Sequence, residues 1–179
     1  MKGSFGSSIE TWRLRLHTLR RWDPLRRRLA WQAFWWLGWY RLLILTVGFR
    51  RFAWLHGWFM AETLRGCSPV QRHLASEIGF AVRRMADHTP WQSACLPQAL
   101  AAQRMCRRGG LGSTLYLGMA RSGDTGIEAH AWLRCGDAIL TGEEEMGDFV
   151  QVASYALDVG VLFRARRVRL GPFLGDVSL

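Results

Sequence analysis

The chain has 179 residues and a formal net charge of +10, a length that suits one compact domain with an appendage. The charge is confined to one part, because residues 1–51 carry eleven basic and two acidic side chains and residues 52–179 carry thirteen basic and twelve acidic ones. Basicity alone, without a nucleic-acid-binding motif, is weak evidence for a nucleic-acid partner, and none is expected. No secretory signal is evident ahead of the arginines at positions 13–28, so we expect a cytoplasmic protein with reduced cysteines.

The N-terminal part is also aromatic, since residues 1–68 hold eight of the ten tryptophans. This change of composition predicts an N-terminal helical region over residues 1–68 and a second domain over residues 69–179. Asp23 and Pro24 are typical of the start of a helix. We expect a long helix from there and a break near Gly48.

Residues 29–49 contain a single charge, Arg41, and nearly reach the ~20 residues that span a bilayer. The mid-run arginine and the interfacial character of tryptophan weigh against a span. We expect instead amphipathic helices that cover the following domain or form a docking surface for a membrane, a peptide or a partner protein.

Two helices are predicted next. Residues 70–88 place Val70, Leu74, Ile78, Val82 and Met85 at steps of three and four, which is the pattern of a helix packed on a core. The second helix begins around Leu96 with Pro97 in its first turn and ends at Gly109 and Gly110. This placement puts Cys95 at or just before a helix N-terminus.

After the second helix, the hydrophobic period changes to two. Residues 113–120 and 127–135 alternate, with turn residues between them, and Gly136 and Asp137 turn the chain into residues 138–142. Further strands are expected in residues 149–155 and 161–170. Helices followed by an antiparallel sheet predict an α+β fold.

A thiol at a helix N-terminus is suited to nucleophilic chemistry. The helix dipole and the unpaired N–H groups there favour the thiolate, and the same N–H groups can stabilise an oxyanion. The thiolate needs an imidazole that takes its proton and returns it to the leaving amine. For Cys95 alone, the alternative is a small buried thiol without chemistry.

His130 is the best candidate for that imidazole. It lies on a predicted strand between the small residues Ala129 and Ala131, on the same face as Trp132. A strand histidine on its own is more often structural. The remaining histidines fall in the aromatic region, on an exposed helix face or at a helix end: His17, His56, His73 and His88.

A third group usually orients the imidazole. Across a hairpin that turns at Gly136 and Asp137, the residue facing His130 is close to position 143, which favours Glu143 over Asp137. The register can slip by one or two residues, and the acidic run 143–145 is also compatible with a solvated loop. Cys106 is about 16 Å from Cys95 along a continuous helix and is expected in the core.

The segments PWQSACLPQALAAQRMCRRGGLGSTLYLGMAR and EAHAWLRCGDAILTG, within residues 70–155, resemble the leader peptidase domain of the lasso-peptide biosynthesis B proteins. That domain is a transglutaminase-like cysteine protease related to the papain fold. The resemblance implies a Cys–His–acid enzyme with Cys95 as nucleophile and His130 as base. Some family members carry an acid about twelve residues after the histidine, where this chain has Gly142 next to Glu143.

The resemblance also implies a function. We expect a cysteine peptidase that removes the leader from a ribosomally made precursor before a partner cyclase closes the lasso ring. We expect it in the cytoplasm, either free or bound peripherally at the inner membrane face. The family's winged-helix recognition module is not evident in residues 1–69, so a separate leader-recognition protein is expected. No cofactor or metal is expected, because paired ligand spacings are missing. The alternatives are a thiol-dependent acyl transferase and a non-catalytic scaffold that binds a membrane or partner.

Overall fold

A computed structural model of the chain describes residues 22–122 and 126–158. Within these residues four helices and five strands form an α+β fold, which confirms the predicted class. The helices are α1 (Pro24–Thr46), α2 (Phe49–Phe52), α3 (Pro69–Ala86) and α4 (Cys95–Arg108). The strands are β1 (Trp58–Phe59), β2 (Ser113–Ser122), β3 (Gly126–Cys135), β4 (Ala138–Thr141) and β5 (Val150–Leu157), and 3-10 turns cover Ala53–His56 and Met146–Asp148.

The helix boundaries follow from capping residues. The side chain of Asp23 accepts a hydrogen bond from the N–H of Leu25 at 3.2 Å, which starts α1, and Gly48 with φ of +80° separates α1 from α2. Ser68 and Gln71 form a reciprocal capping box at the start of α3. The predicted break near Gly48 and both predicted C-terminal helices are confirmed, with α3 ending two residues earlier than expected.

The sheet is antiparallel, in the strand order β1-β5-β2-β3-β4. The β2–β3 hairpin pairs Gly118 with His130 and Tyr116 with Trp132 in a regular register. Between β3 and β4 the register shifts by one residue at Leu133 and Arg134. The strand expected over residues 161–170 lies outside the described residues.

The N-terminal helices and the sheet share one hydrophobic core. The cluster contains Leu37 and Tyr40 of α1, Ile78 of α3, Leu100 of α4 and Leu133 of β3. In addition, β1 hydrogen-bonds to β5, at the far edge of the sheet. The division of the chain at residue 68 stays a prediction, and packing continues across that position.

No helix among the described residues is long and apolar enough to cross a membrane. The helix α1 has the length for it, with 23 residues. Its sequence does not have the required apolarity because arginine, glutamine and glycine interrupt it. This result agrees with the expectation that residues 29–49 do not form a span.

Candidate active site

Cys95 is the first residue of α4 and is half-buried against the core. The residue before it is Ala94, and no side chain caps this end of the helix. The N–H of Gln98 bonds to the carbonyl of Ala94 at 3.3 Å, and Pro97 has no N–H to offer. The N–H groups of Cys95 and Leu96 are therefore the donors at the helix mouth, as the predicted placement of Cys95 requires.

The segment that leads into Cys95 is held by α1. The Trp91 ring packs on Phe34 with centroids 5.3 Å apart, and the Arg41 guanidinium donates to the Gln92 carbonyl. A Cβ at Gly38 would lie 3.0 Å from Trp91 Cζ2, so a glycine lets the indole pack closely on the helix. Through these contacts α1 fixes the direction from which the chain enters α4.

Hydrogen bonds around Ser93 add to this restraint. The Gln98 side chain donates to the Ser93 carbonyl at 2.8 Å. The Thr89 hydroxyl lies 2.8 Å from the Ser93 hydroxyl and donates to the Trp91 carbonyl at 2.8 Å. The backbone just before the thiol is thus fixed by side chains of the same loop and of the helix that it starts.

His130 is buried, with 5% of its surface exposed. Two aromatic rings pack near its ring, Phe149 at 5.0 Å and Trp132 at 6.0 Å between centroids. Trp132 in turn stacks on Tyr116 of the neighbouring strand at 5.6 Å. The imidazole is therefore shielded from water by aromatic rings.

Each nitrogen of the His130 ring faces an acceptor. Nε2 lies 3.0 Å from the Gly142 carbonyl oxygen and Nδ1 lies 3.2 Å from Oε2 of Glu145. A carbonyl and a carboxylate only accept hydrogen bonds, so both contacts are satisfied at once by the doubly protonated ring. This arrangement is matched to the imidazolium that forms when a histidine takes a proton from a thiol.

Gly142 has a backbone conformation that a side chain would disturb. Its φ is +75°, and a Cβ there would lie 2.5 Å from the Ala131 carbonyl oxygen and 2.9 Å from His130 Nε2. Both values are too close for a real Cβ. Position 142, where some resembling proteins carry an acid, thus presents a backbone carbonyl to the histidine in this chain.

The acidic residues of the β3–β4 turn and of the following loop differ in their contacts. Glu145, which is largely exposed, is the carboxylate that reaches His130. Glu143 is exposed in the same loop, and Asp137 is exposed at the β3–β4 turn. The orienting role of Glu143 stays a prediction, and the sequence reasoning missed the contacts of Glu145 and of the Gly142 carbonyl.

Cys95 and His130 belong to elements that pack in the same core. Cys95 begins α4 and His130 lies on β3. The core cluster contains Leu100 of the helix and Leu133 of the strand. A tight connection leads from α4 into β2, the strand that pairs with β3.

Cys95 packs against the core on the helix side of the sheet, whereas the His130 side chain projects from the other face of β3. Side chains alternate along a strand, so Ala131 and Leu133, which belong to the core cluster, face the helices and His130 faces the opposite side. Among the described residues no hydrogen bond joins the Cys95 thiol to the His130 ring. Direct contact between them stays a prediction.

The other cysteines do not share this setting. A hydrogen bond with Cys135 and burial raise the pKa of the Cys106 thiol, which agrees with its predicted place in the core. Cys67 is half-buried. Within residues 22–122 and 126–158, no group of three or more histidine, cysteine or acidic residues is placed to hold a metal ion.

A second polar cluster lies further along the same face of β3. Arg134 is 4% exposed and donates to the Tyr116 hydroxyl at 2.9 Å, the Gly136 carbonyl at 2.7 Å and the Thr63 carbonyl at 2.9 Å. Its guanidinium also lies 3.5 Å from Glu62. The alternation along β3 in the sequence predicts that His130, Trp132 and Arg134 share one face of the strand. It does not predict that this face is buried.

The comparison with protein families identifies most of this fold. The family described as the transglutaminase-like superfamily matches residues 43–154, which are more than half of the chain and include Cys95, His130 and Glu145. Members of that superfamily are typically cysteine-dependent enzymes, and they include peptidases and acyl transferases. No curated protein and no solved structure matches the chain significantly.

Proposed function

Because the chain belongs to the transglutaminase-like superfamily, we propose that it is a cysteine peptidase with Cys95 as nucleophile and His130 as general base. The observation that carries the proposal is the position of Cys95 as the first residue of an uncapped helix inside the matched region. The imidazole with an acceptor at each nitrogen supports it.

The proposed reaction proceeds in two steps. The Cys95 sulfur, after transfer of its proton to His130, attacks the scissile carbonyl carbon, and the N–H groups at the helix mouth stabilise the oxyanion. The C–N bond then breaks, the imidazolium gives its proton to the leaving amine, and a thioester remains on Cys95. Water, deprotonated by His130, hydrolyses the thioester and restores the free thiol.

Contact between thiol and imidazole requires the His130 ring to turn toward the edge of β3. The strand β4 pairs with β3 only as far as Leu133, so β4 does not pair with the edge of β3 beside His130. Glu145 is 69% exposed, so its carboxylate can follow Nδ1 as the ring turns away from the Gly142 carbonyl. By accepting from Nδ1–H, the carboxylate leaves Nε2 as the basic nitrogen of the neutral ring.

The finer proposal concerns the substrate. The segments CLPQALA, LGMAR and AHAW resemble lasso-peptide B proteins, and we propose that this chain removes the leader of a ribosomally made precursor before macrolactam closure by a cyclase. A separate recognition protein would deliver the leader. Cleavage frees the amine that the cyclase uses to close the ring.

Cleavage of a lasso precursor tests the nucleophile. The full chain, mixed with precursor peptide and the recognition protein, is expected to give free leader and core in a mass spectrum. Cys95→Ala should leave the precursor intact. Cys67→Ala, which changes another half-buried cysteine, should cut as the wild type does. Undiminished cleavage by Cys95→Ala would contradict the proposal.

Two neighbouring carboxylates form a matched pair for testing the positioning residue. Glu145→Gln is expected to lower kcat/KM by about tenfold or more, the usual effect of losing a partner that orients a catalytic group. It should also alter the pH–rate profile, because the carboxylate contacts the base itself. Glu143→Gln should stay within about twofold of the wild type. The reverse outcome would assign the orienting role to Glu143.

An acyl transferase is the second candidate, because the superfamily includes both activities. It would form the same thioester and pass the acyl group to an amine in place of water. Addition of a primary amine to the reaction separates the two. A peptidase releases the free acid as its main product, whereas a transferase gives the amide.

A further inference from the structure

One face of α1 carries an exposed apolar surface, which we call the indole stripe: Trp31, Trp35, Trp39, Leu42 and Leu45. These residues are 51–70% exposed. Their spacing of four, four, three and three places them along one side of the helix. The opposite side carries Leu29, Ala33, Leu37 and Tyr40, which are buried in the core.

The indole stripe is large for a surface feature. It extends for about 21 Å along the helix axis at 1.5 Å per residue. A second group of exposed apolar side chains follows α2: Trp54, Leu55, Trp58 and Phe59. Contiguous exposed apolar surfaces of this kind mark sites of interaction with another protein or a membrane.

The charges around the stripe have one sign. Residues 24–59 contain six arginines and no acidic residue. Arg27 and Arg28 are exposed ahead of the stripe, and Arg50 and Arg51 are exposed after it. A helical step of 100° per residue puts Arg27 and Arg28 on the same side of α1 as the indoles. The two remaining arginines are used within the protein, by Glu77 and by the Gln92 carbonyl.

We propose that the indole stripe binds the surface of an anionic lipid bilayer, with α1 lying parallel to the membrane plane. Tryptophan is favoured at the level of the lipid headgroups, and arginine extends from there to anionic phosphates. The buried side of α1 stays on the protein core, so the helix lies on the membrane without crossing it, which agrees with the lack of a spanning helix among the described residues. A peptide groove is less favoured because the stripe lies on a convex helix surface.

The same helix holds the segment that precedes Cys95, through Trp91 and Gln92. Binding of α1 to a bilayer would therefore keep the mouth of α4 near the membrane surface. The proposal does not depend on the peptidase assignment, since it is carried by exposure and charge alone.

Sedimentation with vesicles tests the proposal. The full chain should bind vesicles of phosphatidylcholine with phosphatidylglycerol at least about tenfold more tightly than vesicles of phosphatidylcholine alone, and binding should weaken at high salt. The triple variant Trp31→Ser, Trp35→Ser, Trp39→Ser should lose about tenfold or more of this affinity. The control Val70→Ser, Ile127→Ser, Val150→Ser changes three apolar residues elsewhere that are more exposed than the three tryptophans, and it should bind as the wild type does.

Two further measurements guard against a misfolded variant. Leu42→Ser with Leu45→Ser changes the stripe without removing an indole and should also weaken binding. In the unaltered protein, lipids brominated near the headgroup should quench tryptophan emission. Equal binding by the stripe variants and the wild type, an absence of quenching, or no preference for anionic lipid would each overturn the proposal. A wild-type dimer that the triple variant makes monomeric would assign the stripe to a second copy of the chain instead.

Discussion

The two faces of the sheet are both buried at β3, but by different chemistry. The face toward the helices carries Ala131, Leu133 and Cys135 in the apolar core. The opposite face carries His130, Trp132 and Arg134, each no more than 7% exposed and each in a specific ring, hydrogen-bond or ion-pair contact. The first face is covered by helices and the second by loops.

This difference separates the residues that stabilise the fold from those that are candidates for function. An apolar core accepts one apolar side chain in place of another but loses stability when the side-chain volume changes. A buried polar network loses stability when one partner is removed, because the other partner is left without its hydrogen bond. Substitutions on the helix face should therefore change stability alone. Substitutions near His130 on the opposite face should also change the site.

The largest effect is expected at the polar face. Arg134→Met removes a buried guanidinium that donates to Tyr116, Gly136 and Thr63, and these acceptors lose that donor. Breaking a buried charged network of this kind costs about 3–5 kcal/mol. Urea denaturation measures the free energy of unfolding, and a loss below about 1 kcal/mol would show that the network does not stabilise this face.

Truncation on the helix face should cost somewhat less. Leu133 is fully buried between the sheet and the helices, and Leu133→Ala leaves a cavity there. The free energy of unfolding should fall by about 2–5 kcal/mol. Thermal unfolding checks the effect, and an unchanged midpoint would contradict the packing described for this strand.

A smaller effect on stability, with a specific effect on the site, is expected at Gly142. Gly142→Ala puts a methyl group against the Ala131 carbonyl and His130 Nε2, so the backbone must move and the carbonyl must leave the ring. The strain should cost about 1–3 kcal/mol. NMR of the His130 ring protons should report a changed environment, and an unaltered spectrum would argue against the Gly142 contact.

The smallest effect is expected on the pH dependence of stability, through the buried His56. Burial lowers the pKa of His56, although its hydrogen bond to Gln103 at 2.6 Å acts in the other direction. A lowered pKa in the folded state gives stability that is present above 6.5, the unperturbed pKa, and is lost as pH falls through the folded-state pKa. The free energy of unfolding should therefore decrease as the pH falls below 6.5.

Removal of the titrating ring tests this dependence. His56→Gln should flatten the decrease in stability with falling pH, whereas His73→Gln, which changes an exposed histidine of α3, should keep it. Chemical denaturation at several pH values measures both variants. Equal slopes for His56→Gln and the wild type would contradict the assignment.

The sequence predicted the elements better than the contacts between them. The spacing of apolar residues predicted α3, α4 and the alternation of β3. Pro97 predicted a helix that begins around Leu96, one residue after its observed start at Cys95. Local patterns of this kind depend on neighbours in the chain. The sequence also predicted that the N-terminal helices cover the following domain as one alternative, and α1 does share a core with α3 and α4. Which residues meet in that core depends on positions far apart in the chain, and no local pattern shows them.

The partner of His130 shows the same limit at one residue. A regular hairpin turning at Gly136 puts position 143 opposite His130, but the register shifts at Leu133 and Arg134 and the chain turns again at Gly142. As a result the Gly142 carbonyl and the Glu145 carboxylate reach the ring. A bulge in a strand with ordinary residues leaves no clear signal in a single sequence.

The rate at which an alkylating reagent modifies Cys95 tests the central claim, that this thiol and His130 act as a pair, without knowledge of the substrate. Peptide mapping after iodoacetamide treatment follows Cys95 and the half-buried Cys67 in one sample. The account predicts faster modification of Cys95 in the wild type, and a decrease of at least about tenfold in His130→Ala with Cys67 unchanged. An unaltered rate at Cys95 in His130→Ala would contradict the pairing.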